Sequence, residues 1–168
     1  CRFNDDDSPK LTRTNSSDGS LTNWTFSIWI KRANITGSTM RILHCRNAGG
    51  TLEASIYISG GNQLNFYATD GSNVDQIGTN RKFRDTSAWY HIVLRVDTSR
   101  IEADRYRLYI NGVEETAFDT RTNPGSDTLP ASTIWAPFLS ASAILKLSIY
   151  AFAEYRFSFI SEKLLPLS

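Results

Sequence analysis

The sequence has few of the features that mark disulfide-stapled, membrane-spanning or nucleic-acid-binding proteins. Its 168 residues include two cysteines, Cys1 and Cys45, which are too few for a disulfide framework and which we expect to be unpaired thiols. No apolar run approaches the roughly 20 residues that a membrane-spanning helix needs, so we expect no membrane insertion. The formal net charge is +1 and the arginines are scattered, so the composition indicates no nucleic-acid partner.

Long segments of Leu, Ala, Glu and Lys are also missing. Ser, Thr, Asn and Gly are abundant instead, and aromatic residues make up 12% of the chain, which favours strands and turns over helices. A chain of this length with 40% hydrophobic residues can bury one core without staples. We predict a single domain over residues 1–168, and the start at Cys1 instead of Met suggests a fragment or a processed product.

Alternation of apolar and polar residues predicts strands that have two different faces. In WTFSIWIKR, one face carries Trp24, Phe26, Ile28 and Ile30, and the other carries Thr25, Ser27, Trp29 and Lys31. In WYHIVLRVDT, one face carries Tyr90, Ile92, Leu94 and Val96, and the other carries Trp89, His91, Val93 and Arg95. We nevertheless expect Trp89, like Trp24, to help build the core, with His91 as a structural neighbour.

Turn residues separate these strands. GGNQ lies between EASIYIS and LNFYAT, so residues 53–69 are predicted to form a hairpin. After YRLYI, Asn111 and Gly112 are predicted to turn the chain, because both residues tolerate a positive φ at low cost. The last and longest predicted strand is LKLSIYAFAEYRFSFI. Short two-faced strands must each bury one face, which predicts an all-β, antiparallel two-sheet sandwich.

With the strands placed in this way, the sequence resembles a laminin-G-like domain of the concanavalin A-like jelly-roll superfamily. The residues that carry the resemblance are WTFSIWIKR, LEASIYISGGNQLNFYAT, and WYHIVLRVDT followed by YRLYINGVEE, over roughly residues 20–118. The opening RFNDDDSPKLTRT resembles the first strand of laminin-G-like proteins that tailed bacteriophages encode. The end departs from the family, because SIYAFAEYRFSFISEKLLPLS lacks the usual Gly and Asp signals, so residues 141–168 are the least certain part of the domain.

His91 is the first candidate for chemistry, but no G-x-S-x-G motif accompanies it, and the resemblance implies a framework role. Glycosidases of the superfamily need a strand with E-x-D-x-x-E, in which two carboxylates flank the scissile bond. The nearest stretch is EADRYR, where Glu102 and Asp104 have the right spacing but Arg107 occupies the last position. We therefore expect a protein that is not an enzyme.

Calcium is the one cofactor that the sequence leaves open. Asp70, Asn73 and Asp75 in TDGSNVD offer oxygen ligands in a loop after a strand, although the closing Glu of an EF-hand loop is missing. The run NDDD at residues 4–7 could also bind a hard cation, but a run of like charges is more often a solvated turn.

Large rings on outward faces are the remaining functional signal. The alternation points Trp29, Tyr57, Tyr67 and Tyr109 outward, together with Tyr150 and Phe152 in the last strand. Exposed rings of this size usually contact a partner or a stacked sugar. The resemblance implies a non-enzymatic virion component on a phage capsid or tail, whose partners are other virion proteins, copies of itself or a host-surface glycan. The alternative is a carbohydrate-binding module of a secreted or cell-surface protein, with an extracellular location.

Overall fold

The computed structural model describes residues 23–32, 35–46, 49–51, 53–122 and 156–160. These residues form ten strands and a single 3₁₀ turn, Glu102–Asp104. The strands are β1 Asn23–Lys31, β2 Met40–Arg46, β3 Glu53–Ile58, β4 Gln63–Thr69, β5 Val74–Lys82, β6 Trp89–Asp97, β7 Tyr106–Ile110, β8 Val113–Glu114, β9 Phe118–Thr122 and β10 Arg156–Ile160.

The strands form two five-stranded sheets in which neighbouring strands are antiparallel. The first sheet has the order β10-β1-β6-β7-β8, and the second has the order β2-β3-β4-β5-β9. The prediction of an all-β, antiparallel jelly-roll sandwich is confirmed. Within the described ranges, no helix has the length and apolarity that crossing a bilayer requires.

The core lies between the sheets and follows the predicted alternation. Both sheets contribute to it, and the inward side chains of β1 and β6 are the ones the sequence pattern indicates: Trp24, Phe26, Ile28, Ile30, Ile92, Leu94 and Val96. The second sheet supplies alternate residues of β3 and β4, including Ile56, Ile58, Leu64 and Phe66. Burying one such side chain stabilises the fold by roughly 1.5–3 kcal/mol.

The predicted turn after β7 is present and fastens two strands of the first sheet. Asn111 has φ 52° and Gly112 has φ 80°, both in the left-handed region. The Asn111 amide nitrogen donates to the His91 carbonyl at 2.8 Å, and the His91 amide nitrogen donates to Asn111 Oδ1 at 2.8 Å. The turn therefore fixes the register of β6 and β7 near the start of β6.

The position of Trp89 differs from the expectation. Its side chain is 37% exposed and lies outside the core, although a buried Trp was predicted there. In β6 the inward positions are Ile92, Leu94 and Val96, so Trp89 has the parity of the outward face. The alternation of side chains along β6 therefore places Trp89 on the outward face, although large rings prefer the interior.

Several predictions fall outside the described residues. Of the long last strand, the structure describes Arg156–Ile160, which pairs with β1 from Thr25↔Ile160 to Trp29↔Arg156. Tyr150, Phe152, the NDDD run and Cys1 lie outside, as does the thiol of Cys45. The assignment of all 168 residues to one domain stays a prediction.

Candidate functional site

The four aromatic residues predicted on the surface fall into two pairs on opposite sides of the sandwich. Trp29 in β1 and Tyr109 in β7 lie on the outer face of the first sheet. Tyr57 in β3 and Tyr67 in β4 lie on the outer face of the second sheet, between buried neighbours along each strand. The structure therefore places two of these rings on each outer face and does not form a single aromatic site.

The outer face of the second sheet combines rings with many hydrogen-bonding side chains. We call it the second-sheet face. Its members on β2 to β5 and β9 are Arg41, His44, Arg46, Glu53, Ser55, Tyr57, Asn65, Tyr67, Thr69, Gln76, Gly78 and Thr120. One row across the sheet runs Arg41↔Tyr57↔Asn65↔Gly78↔Thr120, and the next runs His44↔Ser55↔Tyr67↔Gln76.

Tyr57 is the half-buried centre of this face. Burial raises the pKa of Tyr57, the nearby Tyr67 and Glu53 raise it further, and Arg41 acts in the opposite direction. The phenol therefore stays protonated at neutral pH, so its hydroxyl can both donate and accept hydrogen bonds. The same influences show that Arg41, Tyr67 and Glu53 all lie close enough to act on one hydroxyl.

Gly78 lets the side chain of Asn65 pack against the backbone in the middle of the second-sheet face. A Cβ at this position would lie 2.9 Å from Asn65 Oδ1 and 3.6 Å from the Thr120 Cβ, and both Gly78 and Asn65 are buried. The Asn65 amide nitrogen donates to the Gln63 carbonyl at 2.9 Å, whereas its Oδ1 accepts no hydrogen bond from the described residues. The Oδ1 atom of Asn65 is therefore a hydrogen-bond acceptor that the described residues leave unused.

One polar pair lies at the β2 side of the second-sheet face. His44 Nε2 is 3.2 Å from Glu53 Oε1, and both side chains are partly exposed. Arg46 lies directly across from Glu53 in the register, and its guanidinium covers the position that a Cβ of Gly50 would occupy. The carboxylate of Glu53 is thus bonded by His44.

The outer face of the first sheet is held together by contacts among its own side chains. The Trp29 and His91 rings stack with centroids 4.7 Å apart and an interplanar angle of 8°. Ser27 Oγ lies 2.9 Å from His91 Nε2. Sequence reasoning missed this contact because the residues are 64 positions apart, and only the register of β1 with β6 reveals it.

The Ser27–His91 pair has the first half of the geometry of a hydrolase triad. In the described part of the chain, however, no carboxylate contacts the other ring nitrogen of His91, which a triad needs to orient the imidazole. His91 instead stacks on Trp29, and its backbone is held by Asn111. These contacts are those of a framework residue.

The predicted calcium ligands do not converge, so that trio of residues was wrong. Asp70 Oδ1 accepts hydrogen bonds from the amides of Ser72 at 2.9 Å and Asn73 at 2.7 Å, and Asn73 Nδ2 donates to Asp70 Oδ2 at 3.0 Å. Asp75 points inward and is 2% exposed. Across the described ranges, no group of three or more His, Cys, Asp or Glu side chains could hold a metal ion.

The inward Asp75 has a partner that the sequence pattern did not reveal. Its Oδ2 accepts a hydrogen bond of 3.2 Å from the hydroxyl of Tyr106, which β7 carries into the core from the opposite sheet. Burial raises the pKa of Asp75 to about 6, while the bond from Tyr106 acts in the opposite direction. An acidic residue next to a Gly-containing turn was interpreted as a loop ligand, although its parity with Ile77 already placed it inward.

The stretch that most resembles a glycosidase motif does not form a strand. Glu102 and Asp104 lie in the 3₁₀ turn before β7, where a spacing of two does not place side chains on one face. Arg107, at the position of the missing carboxylate, bonds to Asp104 Oδ1 at 3.0 Å and to Glu114 Oε2 at 3.2 Å. Arg107 therefore holds the carboxylates of Asp104 and Glu114.

Comparisons with known proteins agree with this architecture. The carbohydrate-binding module CBM40 of the Ruminococcus gnavus IT-sialidase, solved with α2,3 sialyllactose, matches with a TM-score of 0.53 at 14% identity, over 80% of this chain and 82% of that one. CBM66 from Bacillus subtilis matches with a TM-score of 0.39 at 13% identity, over 70% of this chain and 81% of that one.

A heptameric SAP-like pentraxin from Limulus polyphemus matches with a TM-score of 0.42 at 19% identity over 64% of this chain, which spans about half (49%) of the pentraxin's length. At these identities the likeness concerns the fold. No curated protein sequence matches this chain.

The family comparison is more direct. Residues 5–137 match the laminin G family model described as the concanavalin A-like lectin/glucanases superfamily, which confirms the resemblance drawn from the strand motifs. Because that match spans well over half of the sequence, and because the strands form the expected two-sheet sandwich, the chain belongs to the concanavalin A-like lectin/glucanases superfamily.

Proposed function

We propose that this domain binds a glycan without cleaving it, and that the second-sheet face is the binding surface. The observation that carries the proposal is the row Tyr57, Asn65, Gly78 and Thr120, in which a half-buried ring lies across the ladder from an amide whose oxygen accepts no hydrogen bond from the described residues, with a hydroxyl at the far end. Sugars present apolar C–H faces to rings and many hydroxyls to amides, and this row offers both kinds of contact.

The arrangement of carboxylates supports binding without hydrolysis. Glycoside hydrolysis by the usual mechanism needs two carboxyl groups on either side of the scissile bond. Glu53 on β3 is a carboxylate that points outward from the second sheet, and it is paired with His44. Asp75, which could have been a second one, is turned into the core.

The fold comparison also supports the proposal. CBM40, which matches with a TM-score above one half, is a carbohydrate-binding module whose structure contains a bound glycan. We take from it that a sandwich of this shape can bind an oligosaccharide, and we take the identity of the binding residues from this chain alone.

The test is a pair of matched tyrosine substitutions on opposite sides of the sandwich. We expect Tyr57→Ala and Tyr67→Ala to weaken binding of the best ligand from a glycan microarray by tenfold or more, about 1.4 kcal/mol, as measured by calorimetry. Tyr109→Ala, which removes the same side chain from the first sheet, should leave the affinity unchanged. Equal losses in all three variants, or a loss only with Tyr109→Ala, would rule out the second-sheet face.

A second proposal concerns where the domain works. We propose that it belongs to a non-enzymatic component of a phage virion, on the capsid or the tail, with other virion proteins or copies of itself as partners and a host-surface glycan as ligand. The supporting observation is RFNDDDSPKLTRT, with its resemblance to phage-encoded laminin-G-like proteins. The alternative is a carbohydrate-binding module of a secreted or cell-surface protein.

Mass spectrometry of purified virions distinguishes these two settings. A virion component should be present in multiple copies per particle and should stay with the particles through a density gradient. If the protein is missing from virions and is recovered from the extracellular fraction, the binding-module alternative holds.

A further inference from the structure

We propose that the ligand of the second-sheet face is an acidic glycan, and that Arg41 binds its carboxylate or sulfate group beside Tyr57. This inference rests on the proposed glycan binding and adds to it the chemical class of the ligand and the residue that selects it.

Arg41 is positioned next to the proposed sugar-binding row by strand pairing. It lies in β2 directly across from Tyr57, which itself lies across from Asn65 in β4. The ladder shifts by one residue between Arg41 and Leu43, so Ile42 is accommodated as a bulge and Arg41 keeps the outward orientation. Its side chain is exposed, so the guanidinium is accessible from solvent.

The guanidinium of Arg41 has no ion pair or hydrogen bond with any side chain or carbonyl in the described ranges. The outward arginines of the first sheet are engaged: Arg95 donates to the Asp104 carbonyl at 3.2 Å, and Arg107 bonds to Asp104 and Glu114. Arg41 is therefore a cation on a sheet face that the protein itself does not neutralise there.

The rest of the second-sheet face adds to this positive character. Glu53 is bonded by His44 and faces Arg46 across the ladder. Asn65, Tyr67, Thr69 and Gln76, the side chains on β4 and β5 that lie nearest to it, are uncharged. A neutral sugar would leave Arg41 unused, and a cationic one would be repelled by it.

The chemistry of the two side chains suits an anionic oxygen group. A guanidinium presents parallel N–H donors that match the two oxygens of a carboxylate or a sulfate, and such charge-assisted bonds are stronger than bonds between neutral groups. The protonated Tyr57 hydroxyl beside it can donate a further bond to the same group. Asn65 and Gly78 follow next in the row, where the Asn65 amide can bond to the sugar hydroxyls.

The test uses oligosaccharides that differ only in charge. A microarray would carry galactan oligosaccharides with and without sulfate esters, and hexose oligosaccharides with and without uronic acid carboxylates. We expect wild-type protein to bind at least one acidic member tenfold or more tightly than its neutral counterpart, with the preference reduced at higher salt. Whether sulfate or carboxylate is preferred identifies which acidic group the site takes.

The variants assign the preference to Arg41. Arg41→Gln should remove the tenfold difference in affinity between the acidic member and its neutral counterpart. Arg41→Lys should recover part of the preference, since an ammonium keeps the charge but not the paired donors. Arg41 is exposed, so all variants should keep the wild-type melting temperature, and Tyr109→Ala serves as the control for a remote change.

The outcomes separate this inference from the proposal beneath it. Equal binding of neutral and acidic members, or an acidic preference that survives in Arg41→Gln, overturns the inference and leaves glycan binding standing. Failure of the protein to bind any member, neutral or acidic, contradicts the proposed function itself.

Discussion

The carboxylate of Asp75 and the hydroxyl of Tyr106 meet 3.2 Å apart between the two sheets, so each sheet contributes one half of a buried polar pair. Asp75 is 2% exposed and Tyr106 is 1% exposed. Apart from Tyr106, the charges that act on Asp75 are those of Arg105, which lowers its pKa, and Asp70, which raises it. The pair links the two sheets through a polar contact in a mainly apolar interior.

This pair predicts that stability decreases as the pH rises. The pKa of Asp75 is about 6 in the folded protein against 3.8 for the free side chain, so the folded state binds the proton more tightly. The stabilisation is complete below pH 4 and is lost as the pH rises through about 6, with a maximal size of about 3 kcal/mol. Thermal unfolding of wild-type protein and Asp75→Asn between pH 4 and pH 8 measures it.

The amide of Asp75→Asn can still accept a bond from Tyr106 but cannot ionise. We therefore expect the melting temperature of wild-type protein, relative to that of the variant, to fall by several degrees over this interval. Tyr106→Phe is the control for the hydrogen bond alone and should cost about 1–3 kcal/mol at neutral pH. Parallel pH profiles for wild-type protein and Asp75→Asn would contradict the assignment.

The turn at Asn111 and Gly112 predicts that replacing Gly112 by a residue that disfavours positive φ lowers the free energy of unfolding. Gly112 has φ 80° with nothing within 4 Å of a new Cβ, so Gly112→Ala should lose roughly 1–2 kcal/mol through backbone strain alone. Gly61→Ala is the matched control, because Gly61 is not in the left-handed region and its nearest neighbour is the flexible Gln63 side chain. Urea unfolding curves compare the two, and equal midpoints would argue against strain at this turn.

The close packing of Asn65 on Gly78 predicts that a side chain at this position reduces glycan affinity more than it reduces the stability of the fold. In Gly78→Ala the new methyl meets Asn65 Oδ1 at 2.9 Å, so the amide must move away from the row that we assign to the ligand. We expect glycan affinity to fall tenfold or more while the melting temperature changes by only a few degrees. A large loss of stability with unchanged affinity would show that the absence of a side chain at Gly78 is needed for packing and not for binding.

The geometry of the Ser27–His91 pair predicts that the protein shows no activity in hydrolase assays. Without a carboxylate to orient His91, Ser27 should not become an activated nucleophile. We expect no labelling of Ser27 by a fluorophosphonate probe, and no release of reducing sugar from β-glucans or agars above buffer. Labelling that disappears in His91→Gln would overturn the framework role, as would hydrolysis that depends on Glu102 or Asp104.

A related prediction concerns the Trp29–His91 stack. Trp29→Ala should destabilise the domain by about 0.5–1.5 kcal/mol beyond the loss of buried area, because the stack disappears with the ring. Glycan affinity should not change, since this face lies on the other sheet. Calorimetric binding curves of Trp29→Ala that match those of wild-type protein, together with a lower melting temperature, would agree with a structural role.

Alternation in the sequence was sufficient to predict β1, β3, β4, β6 and β7 and most of their faces, whereas β2, β5, β8 and β9 were not predicted. Alternation along the chain assigned Trp24, Phe26, Ile28 and Ile30 to the interior, and residue type alone placed the turn at Asn111–Gly112. The same parity indicated the true orientations of Trp89 and Asp75, which were predicted wrongly when residue type was given more weight. A large ring was expected inside and an acid in a loop, although each followed the period of its own strand.

Which side chains lie on the same surface depends on the order and the register of the strands. Strand order separated Trp29 and Tyr109 from Tyr57 and Tyr67, and ladder register brought Arg41 next to Tyr57 and Ser27 next to His91. The period of a strand is a local property of the backbone, so neighbouring residues reveal it. Strand order and register depend on contacts between residues far apart in the chain, and these are selected by how two whole sheets pack.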